Sequence, residues 1–430
     1  VTLGARNRAL PVAPVAAPSR RRLPLADDAR AVDRAWRPVY AVWEVTLKCD
    51  LACRHCGSRA GHARPDELST KEALDLVRQM AELGVREVTL IGGEAYLRDD
   101  WLDIVRAVRE HGMQCTTTTG ARGITDEIAR AAKAAGIQSA SVSVDGLRAT
   151  HDHIRALDGS FDAAMRGLRA FRAAGIPVSS NTHINRINLR EIPHVFELLL
   201  AEGIHAWLMQ LTVAMGRAAD EERLLLEPYQ VLEVLPMLAR VKHRADEKKV
   251  RFWAGNNIGY FGPYESAIRA SYPQGHMGSC GAGRNILGIE ANGDIKGCPS
   301  LPTADYVGGN VRDYSLKDIW QRSGPLRFTR ERTTGDLWGH CATCYYASNC
   351  LGGCTWTTHV LFGKKGNNPF CHHRALELLR VGKRERIVRT ESAGGMPFDY
   401  GKFEIVEEAW PAGELDRALS LAKTGEGWLE

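Results

Sequence analysis

Cys49, Cys53 and Cys56 stand C-x3-C-x2-C on one short stretch, directly after an apolar run at 42–47. Three thiolates this close, with no fourth beside them, can hold three irons of a 4Fe–4S cubane and leave the fourth iron open. Open coordination is what lets a metal site do chemistry instead of only holding a fold. A second cysteine field fills the last third of the chain: Cys280, then Gly293-x4-Cys298, then Cys341-x2-Cys344-x5-Cys350-x3-Cys354, then Cys371. C-x2-C is also zinc spacing, so a structural zinc module is the alternative reading; zinc takes four ligands per ion, and seven cysteines do not divide into fours. The eleventh cysteine, Cys115, opens an apolar segment and reads as a buried structural thiol.

The elements that must carry these groups follow a rhythm between residues 40 and 250: an amphipathic helix, a glycine, then a short apolar strand. The glycines are Gly84, Gly112, Gly136, Gly175 and Gly203. A glycine just past a helix supplies the left-handed residue that ends it. The strands read 42–47, 88–91, 114–119, 139–144, 178–184 and 206–211, and Ser69-Thr-Lys-Glu72 is a capping box at a helix start. Strands alternating with helices make parallel βαβ units. Six units predict an α/β fold built on an incomplete barrel, with its chemistry at the C-terminal ends of the strands, where the first three cysteines fall.

The chain has 430 residues, 44% apolar and 25% charged, enough for two or three domains with a well-buried core. No apolar run approaches the ~18 residues that span a bilayer, and no secretion signal opens the chain, so a cytoplasmic protein without a membrane partner is expected. Residues 1–38 carry eight Arg against three Asp, a net +5 that equals the net charge of the whole chain. They read as a mostly disordered basic leader. No aromatic-laced basic stripe or finger spacing points to nucleic acid. Eleven cysteines in such a chain argue for metal or redox chemistry, not disulfides.

With Cys49, Cys53 and Cys56 in this setting, the chain resembles the radical S-adenosylmethionine (SAM) enzymes, whose fold is a partial (β/α)6 barrel. Further motifs carry the resemblance. Ile91-Gly92-Gly93-Glu94 ends the second strand like the family's Gly-Gly-Glu motif, which holds the SAM amino group; Ala95 stands where Pro is frequent. Taken alone, the two glycines fit a plain turn. The fourth strand ends Ser141-Val-Ser143-Val-Asp145, with Arg155 ten residues on. By resemblance Ser143 meets the SAM ribose and Arg155 its carboxylate; alone, Arg155 reads as a surface arginine. His55 and Met215 fall at positions that lean toward the adenine in relatives. The second cysteine field resembles the SPASM extension of this family, which binds two auxiliary iron–sulfur clusters. The family's ligand crossing gives Cys341, Cys344, Cys350 and Cys371 to one cluster and Cys280, Cys298 and Cys354 to the other. Relatives supply a further cysteine where this chain has Ile286, which leaves the fourth ligand of that cluster open.

The resemblance implies domains at 39–250 (barrel), 251–275 (linker), 276–380 (SPASM) and 381–430 (a tail of unreadable role). It implies an enzyme that cleaves SAM reductively, generates a 5′-deoxyadenosyl radical and takes hydrogen from a ribosomally made peptide. Cross-linking or another oxidative modification is the expected outcome. Epimerisation, sulfatase-type maturation or a small-molecule substrate are the alternatives, with an iron–sulfur or zinc scaffold last. Sulfatase maturases place an acidic residue directly after the Gly-x4-Cys cysteine; here Pro299 and Ser300 follow Cys298. The expected partners are a precursor peptide and an external electron donor such as flavodoxin or ferredoxin. A separate leader-recognition protein is a further candidate, because the stretch before the barrel is too short for a winged-helix module.

Overall fold

The computed structural model describes residues 22–424 apart from Pro273. Six parallel strands follow one another in the expected order: β1 (Tyr40–Glu44), β2 (Glu87–Ile91), β3 (Gln114–Thr119), β4 (Ser139–Ser143), β5 (Val178–Ile184) and β6 (Ala206–Leu211). The five glycines of the rhythm all have positive φ, from 74° to 111°, which side-chain-bearing residues rarely adopt. Ser69 accepts the Glu72 backbone N–H while Glu72 accepts that of Ser69, so the capping box closes.

Strand alternation separates two surfaces. On β5, Val178, Ser180, Thr182 and Ile184 are buried while Ser179, Asn181 and His183 stay part-exposed. The buried set faces the helices. Leu76 and Met80 of the helix Thr70–Leu83, Ile104 and Val108 of Trp101–Glu110, and Val195 and Phe196 of Ile192–Ala201 join Val88, Leu90, Val142 and Trp207 in one core. Truncating one of these, Leu76→Ala for instance, removes about 2–5 kcal/mol. Cys115 lies in this core. The other surface, which carries Thr116, Thr118, Ser141, Asn181 and Gln210, lines the inside of the barrel with hydroxyl and amide groups.

The sheet is longer than six strands. β7 (Arg251–Ala254) pairs parallel with β6, within the stretch read as a linker. The preceding helix, Val231–Glu247, is followed by Lys249 with φ 58° where the other units have glycine, so the glycine signal is missing. On the other edge β8 (Ile286–Ile289) pairs parallel with β1, and β9 (Asp294–Lys296) and β10 (Gly309–Asn310) continue antiparallel. The order is β10-β9-β8-β1-β2-β3-β4-β5-β6-β7: the sheet curls but does not close. The cysteine-rich region is therefore joined to the barrel through shared backbone hydrogen bonds, and residue 276 is no break in the sheet.

The leader also needs correction. Residues 1–21 lie outside the described residues, but 22–38 are docked. Asp33 is fully buried and paired with Arg30, Arg327 and Arg330, and the Trp320 indole N–H donates to the Trp36 carbonyl at 2.9 Å. One carboxylate satisfied by three guanidiniums outweighs the disorder that the composition suggests. The tail folds as well, into a hairpin of β11 (Lys383–Glu391) and β12 (Lys402–Ala409) and the helix Glu414–Thr424; residues 425–430 lie outside the described residues.

Candidate active site and metal centres

β1 delivers the chain to the first three cysteines at the barrel mouth. Cys49 N–H donates to Gly61 O at 3.1 Å and Gly61 N–H to Leu47 O at 3.0 Å, so the cysteine stretch is a loop pinned at its base. Arg54 N–H donates to Ile154 O at 2.9 Å, which ties the loop to the helix Arg148–Arg155. Arg217, buried after β6, donates from Nε to Cys53 O at 2.7 Å and from its terminal nitrogens to Ala60 O at 3.2 Å.

The sulfurs sit among donors suited to a thiolate-held cluster. Leu51 N–H faces Cys49 Sγ at 3.4 Å, and Arg155 Nη1 faces Cys53 Sγ at 3.7 Å. Burial pushes the Cys49 and Cys53 thiols up; Glu94 adds to this at Cys49, while Arg155 counters it at Cys53. Buried thiols that repel one another once ionised need positive charge between them, and iron supplies it.

Gly92 and Gly93 lie against the extension of β1. Gly93 N–H donates to Thr46 O and Glu94 N–H to Lys48 O, both at 2.8 Å; a Cβ on Gly93 would fall 2.2 Å from Lys48 O. The glycines thus have a packing reason of their own, beside any ligand contact. They turn Glu94 inward, fully buried, where its carboxylate accepts from Gly120 N–H at 2.7 Å and from the Thr119 hydroxyl. Burial pushes Glu94 up to about 7, against the pull of those two donors.

Arg155 is 8% exposed and not the surface arginine that the sequence alone allowed. Its Nη2 donates to Asp145 Oδ2 at 2.6 Å, and its Nε is buried without a partner. Asp145 is a hub. It also faces His55 Nε2 at 3.3 Å and accepts from His183 N–H at 2.9 Å. Burial would raise its pKa, but Arg155 and His55 outweigh burial and hold it well below the usual carboxylate range. Gly120 shows how near Glu94 and Arg155 come: a Cβ there would lie 2.8 Å from Glu94 Oε1 and 3.6 Å from Arg155 Nη1. An acid and a base face a cradle kept free of side chain, which fits a ligand carrying both an ammonium and a carboxylate. Ser143 is near this group on β4, donating to Asn181 Oδ1 at 3.1 Å, as Ser141 does at 3.3 Å. Met215 packs against the cysteine loop, its terminal methyl filling the space that a Cβ on Gly57 would take. The sequence reading passed over Asp145, Asn181 and Gly120; an unbroken polar run on β5, Ser-Ser-Asn-Thr-His, was the available signal for Asn181.

The other seven cysteines gather in two places. Cys341, Cys344, Cys350 and Cys371 line one small cavity with Tyr260, Phe261 and Tyr346. Tyr346 N–H faces Cys344 Sγ at 3.4 Å, and burial pushes Cys350 up to about 12. Cys280 and Cys298 pack with Leu301 and Tyr306, and Cys280 is close enough to raise both Cys298 and Cys354 beyond the effect of their burial, to about 12 and about 11. Ile286, which has no ligating atom, opens β8 opposite Tyr40. Each thiol group fits a buried cation, and the seven divide four and three.

The hairpin tip, 392–401, covers the active-site loop. Phe398 N–H donates to Gly57 O at 3.1 Å and Gly216 N–H to Asp399 O at 2.8 Å. Arg59, three residues past Cys56 and buried at φ 49°, donates to Asp399 Oδ1 at 2.8 Å and Asp220 Oδ2 at 2.6 Å. No helix among the described residues is long and apolar enough to cross a membrane.

Known proteins share this plan. Residues 43–199 match the Radical SAM superfamily, and residues 280–345 match SPASM, an iron–sulfur cluster-binding domain. An AdoMet-dependent heme synthase of Nitratidesulfovibrio vulgaris is 30% identical over 355 residues, covering 77% of this chain and 91% of that protein. The mycofactocin maturase MftC of Mycobacterium tuberculosis is 29% identical over 321 residues, covering 74% and 78%. Among solved structures, Streptococcus suis SuiB bound to S-adenosylmethionine superposes with a TM-score of 0.60 at 18% identity, over 74% of this chain and 73% of that one. SuiB bound to its precursor peptide SuiA gives 0.56.

Proposed function

The chain belongs to the radical SAM enzymes that carry a SPASM domain, and from that premise we propose that it oxidises a ribosomally made peptide. As such an enzyme it uses SAM, a 4Fe–4S cluster and auxiliary iron–sulfur clusters. In our reading Cys49, Cys53 and Cys56 hold the first cluster. Cys341, Cys344, Cys350 and Cys371 hold one auxiliary cluster, and Cys280, Cys298 and Cys354 the other. When bound, the first cluster and SAM supply reductive cleavage of the sulfonium and with it the means of taking a hydrogen atom from an unactivated C–H bond.

The chain's own residues bind and orient. The Glu94 carboxylate, behind Gly92 and Gly93, accepts the SAM ammonium. Arg155 offers its unpartnered Nε to the SAM carboxylate while Asp145 fixes its other end. Ser143 and Asn181 are the hydroxyl and amide at hand for the ribose, and Met215 beside Gly57 serves the adenine side. The hairpin tip excludes water from the loop.

One observation carries the peptide reading. Among the described residues the sheet ends at β7 and β10 and does not close on itself, and in our reading a chain lies along that unclosed side with one side chain inside. The likeness to the mycofactocin maturase MftC and to SuiB bound to its precursor peptide SuiA supports it. The heme synthase at 30% identity favours a second reading, oxidation of an iron porphyrin. Anaerobically reconstituted protein with SAM and reductant decides between them. It should change the mass of a short peptide encoded beside its gene and leave an iron porphyrin precursor intact; the reverse result sinks the peptide reading. A flavodoxin or ferredoxin is the electron donor in this scheme.

A further inference from the structure

Arg332 is 6% exposed, in the loop that leads into the C-x2-C stretch. Its Nη1 donates to Gly353 O at 3.4 Å and to the Thr355 hydroxyl at 3.0 Å. These two residues flank Cys354, a member of the three-cysteine set. Gly353 also lies three residues past Cys350, of the four-cysteine set, and next to Gly352, which lines that set's cavity. Arg332 is therefore held on the Cys350–Cys354 segment that joins the two groups of sulfur. Its Nε and Nη2 are buried with no partner, and no carboxylate pairs with it among the described residues.

This is costly unless something anionic answers it. A buried guanidinium without a counter-charge, and with two donors unmet, goes against the rule that buried charges are paired. The other buried arginines nearby differ: Arg330 meets Asp33, and Arg374 meets Glu385 at 2.6 Å. Cys350 and Cys354 bracket the segment that Arg332 holds. An iron–sulfur cluster held by thiolates is anionic, its sulfurs accept hydrogen bonds, and both local charge and such bonds move its potential.

We propose that Arg332 is the shared counter-cation of the two auxiliary cluster sites and sets the potential at which they accept an electron. Reduction adds one electron and no proton to a cluster, so its net charge falls by one. A fixed cation nearby favours the reduced form, and two unmet N–H donors favour it further. Arg332 is thus a positioning and tuning residue, not a ligand. The inference rests on the division of the seven cysteines into two clusters, not on the identity of the substrate.

The test uses the full chain with Cys49, Cys53 and Cys56 changed to Ala, so that only auxiliary clusters contribute. It is reconstituted anaerobically, and each form is titrated with dithionite while absorbance and electron paramagnetic resonance are followed. In Arg332→Gln the ratio of reduced to oxidised cluster at a given solution potential should fall at least tenfold, a shift of about 59 mV for one electron. Arg332→Lys, which keeps the charge and loses the fork, should fall between Gln and the parent. Superimposable titrations of Gln variant and parent at equal iron content overturn the proposal. Loss of iron in the Gln variant with retention in the Lys variant upholds the need for charge. Loss in both assigns Arg332 to holding the Gly353–Thr355 backbone and overturns it. A parent that holds no iron instead defeats the cysteine assignment itself.

Discussion

Arg155 has two claims on its guanidinium. Nη2 is committed to Asp145, and Nε is buried and free. A lysine can serve Asp145 or a SAM carboxylate, not both, because an ammonium lacks the planar fork. Arg155→Lys should therefore weaken SAM binding by about 1.5–3 kcal/mol, tenfold or more, in calorimetric titration of the reconstituted protein. Unchanged affinity would confine Arg155 to holding Asp145. Glu44 allows a pH test away from the clusters. Burial pushes its carboxyl up to about 8, with one oxygen unpartnered. Arg64 is 3.9 Å away, but Glu290 holds Arg64 at 3.0 Å and Lys296 at 2.7 Å. The unfolded chain releases the Glu44 proton near the ordinary ~4.3, and the folded chain keeps it to about 8. Between those values the folded state binds more protons, so stability falls as pH rises and levels off above about 8. Glu44→Gln removes this slope. Its melting temperature relative to the parent should climb between pH 5 and 8.5, and a constant difference would contradict the assignment.

At the scale of elements, the hairpin is the part whose purpose the fold makes testable. Its tip reaches the active-site loop through Asp399, which shares the buried Arg59 with Asp220. Asp399→Asn leaves that guanidinium half-answered. The cost should be about 1–3 kcal/mol, below the 3–5 of a fully broken buried pair because Asp220 remains. The cluster colour should also bleach faster in air, read as absorbance loss; equal bleaching would free the hairpin from any shielding role. Such contacts explain what the sequence hid. Gln114–Thr119, Val178–Ile184 and Ala206–Leu211 were legible to the residue, because a local rhythm of helix, left-handed glycine and apolar strand marks them. β7 was not, since Lys249 takes the glycine's place. β11, Lys-Arg-Glu-Arg-Ile-Val-Arg-Thr-Glu, was not, since it has almost no apolar face and is fixed by its partner strand. Asp33 and Arg59 were invisible for a related reason: each draws its meaning from partners up to hundreds of residues away. The cysteine spacings and Gly92-Gly93-Glu94 were readable because their ligand chemistry is written locally. Asp145 as hub and Gly120 as cradle needed three strands side by side.

Under the proposed assignment ten of the eleven cysteines form three groups around one open barrel, which calls for three clusters and about 12 irons if all are cubanes. Iron analysis finding zinc in their place would undo the scheme. The arrangement also constrains electron flow. Oxidising a peptide by two hydrogens removes one as an atom, taken at the barrel mouth. The other leaves as a proton, with one electron left on the substrate. The barrel site has already spent its electron on SAM and offers no sink. An auxiliary cluster would, and β9, in the same sheet as β1, ends two residues before Cys298. Under the proposed peptide activity, each oxidised peptide should thus accompany one 5′-deoxyadenosine. Changing Cys280, Cys298 and Cys354 together to Ala keeps the SAM site and removes the sink. That variant should still form 5′-deoxyadenosine with peptide present, while the product lighter by two hydrogens falls at least tenfold and deuterium appears in recovered peptide as the trapped carbon radical takes an electron from the reductant and a deuteron from solvent. Mass spectrometry of both species reads the ratio directly. A variant that keeps the one-to-one ratio would show that the electron leaves by another route and that this cluster serves structure alone.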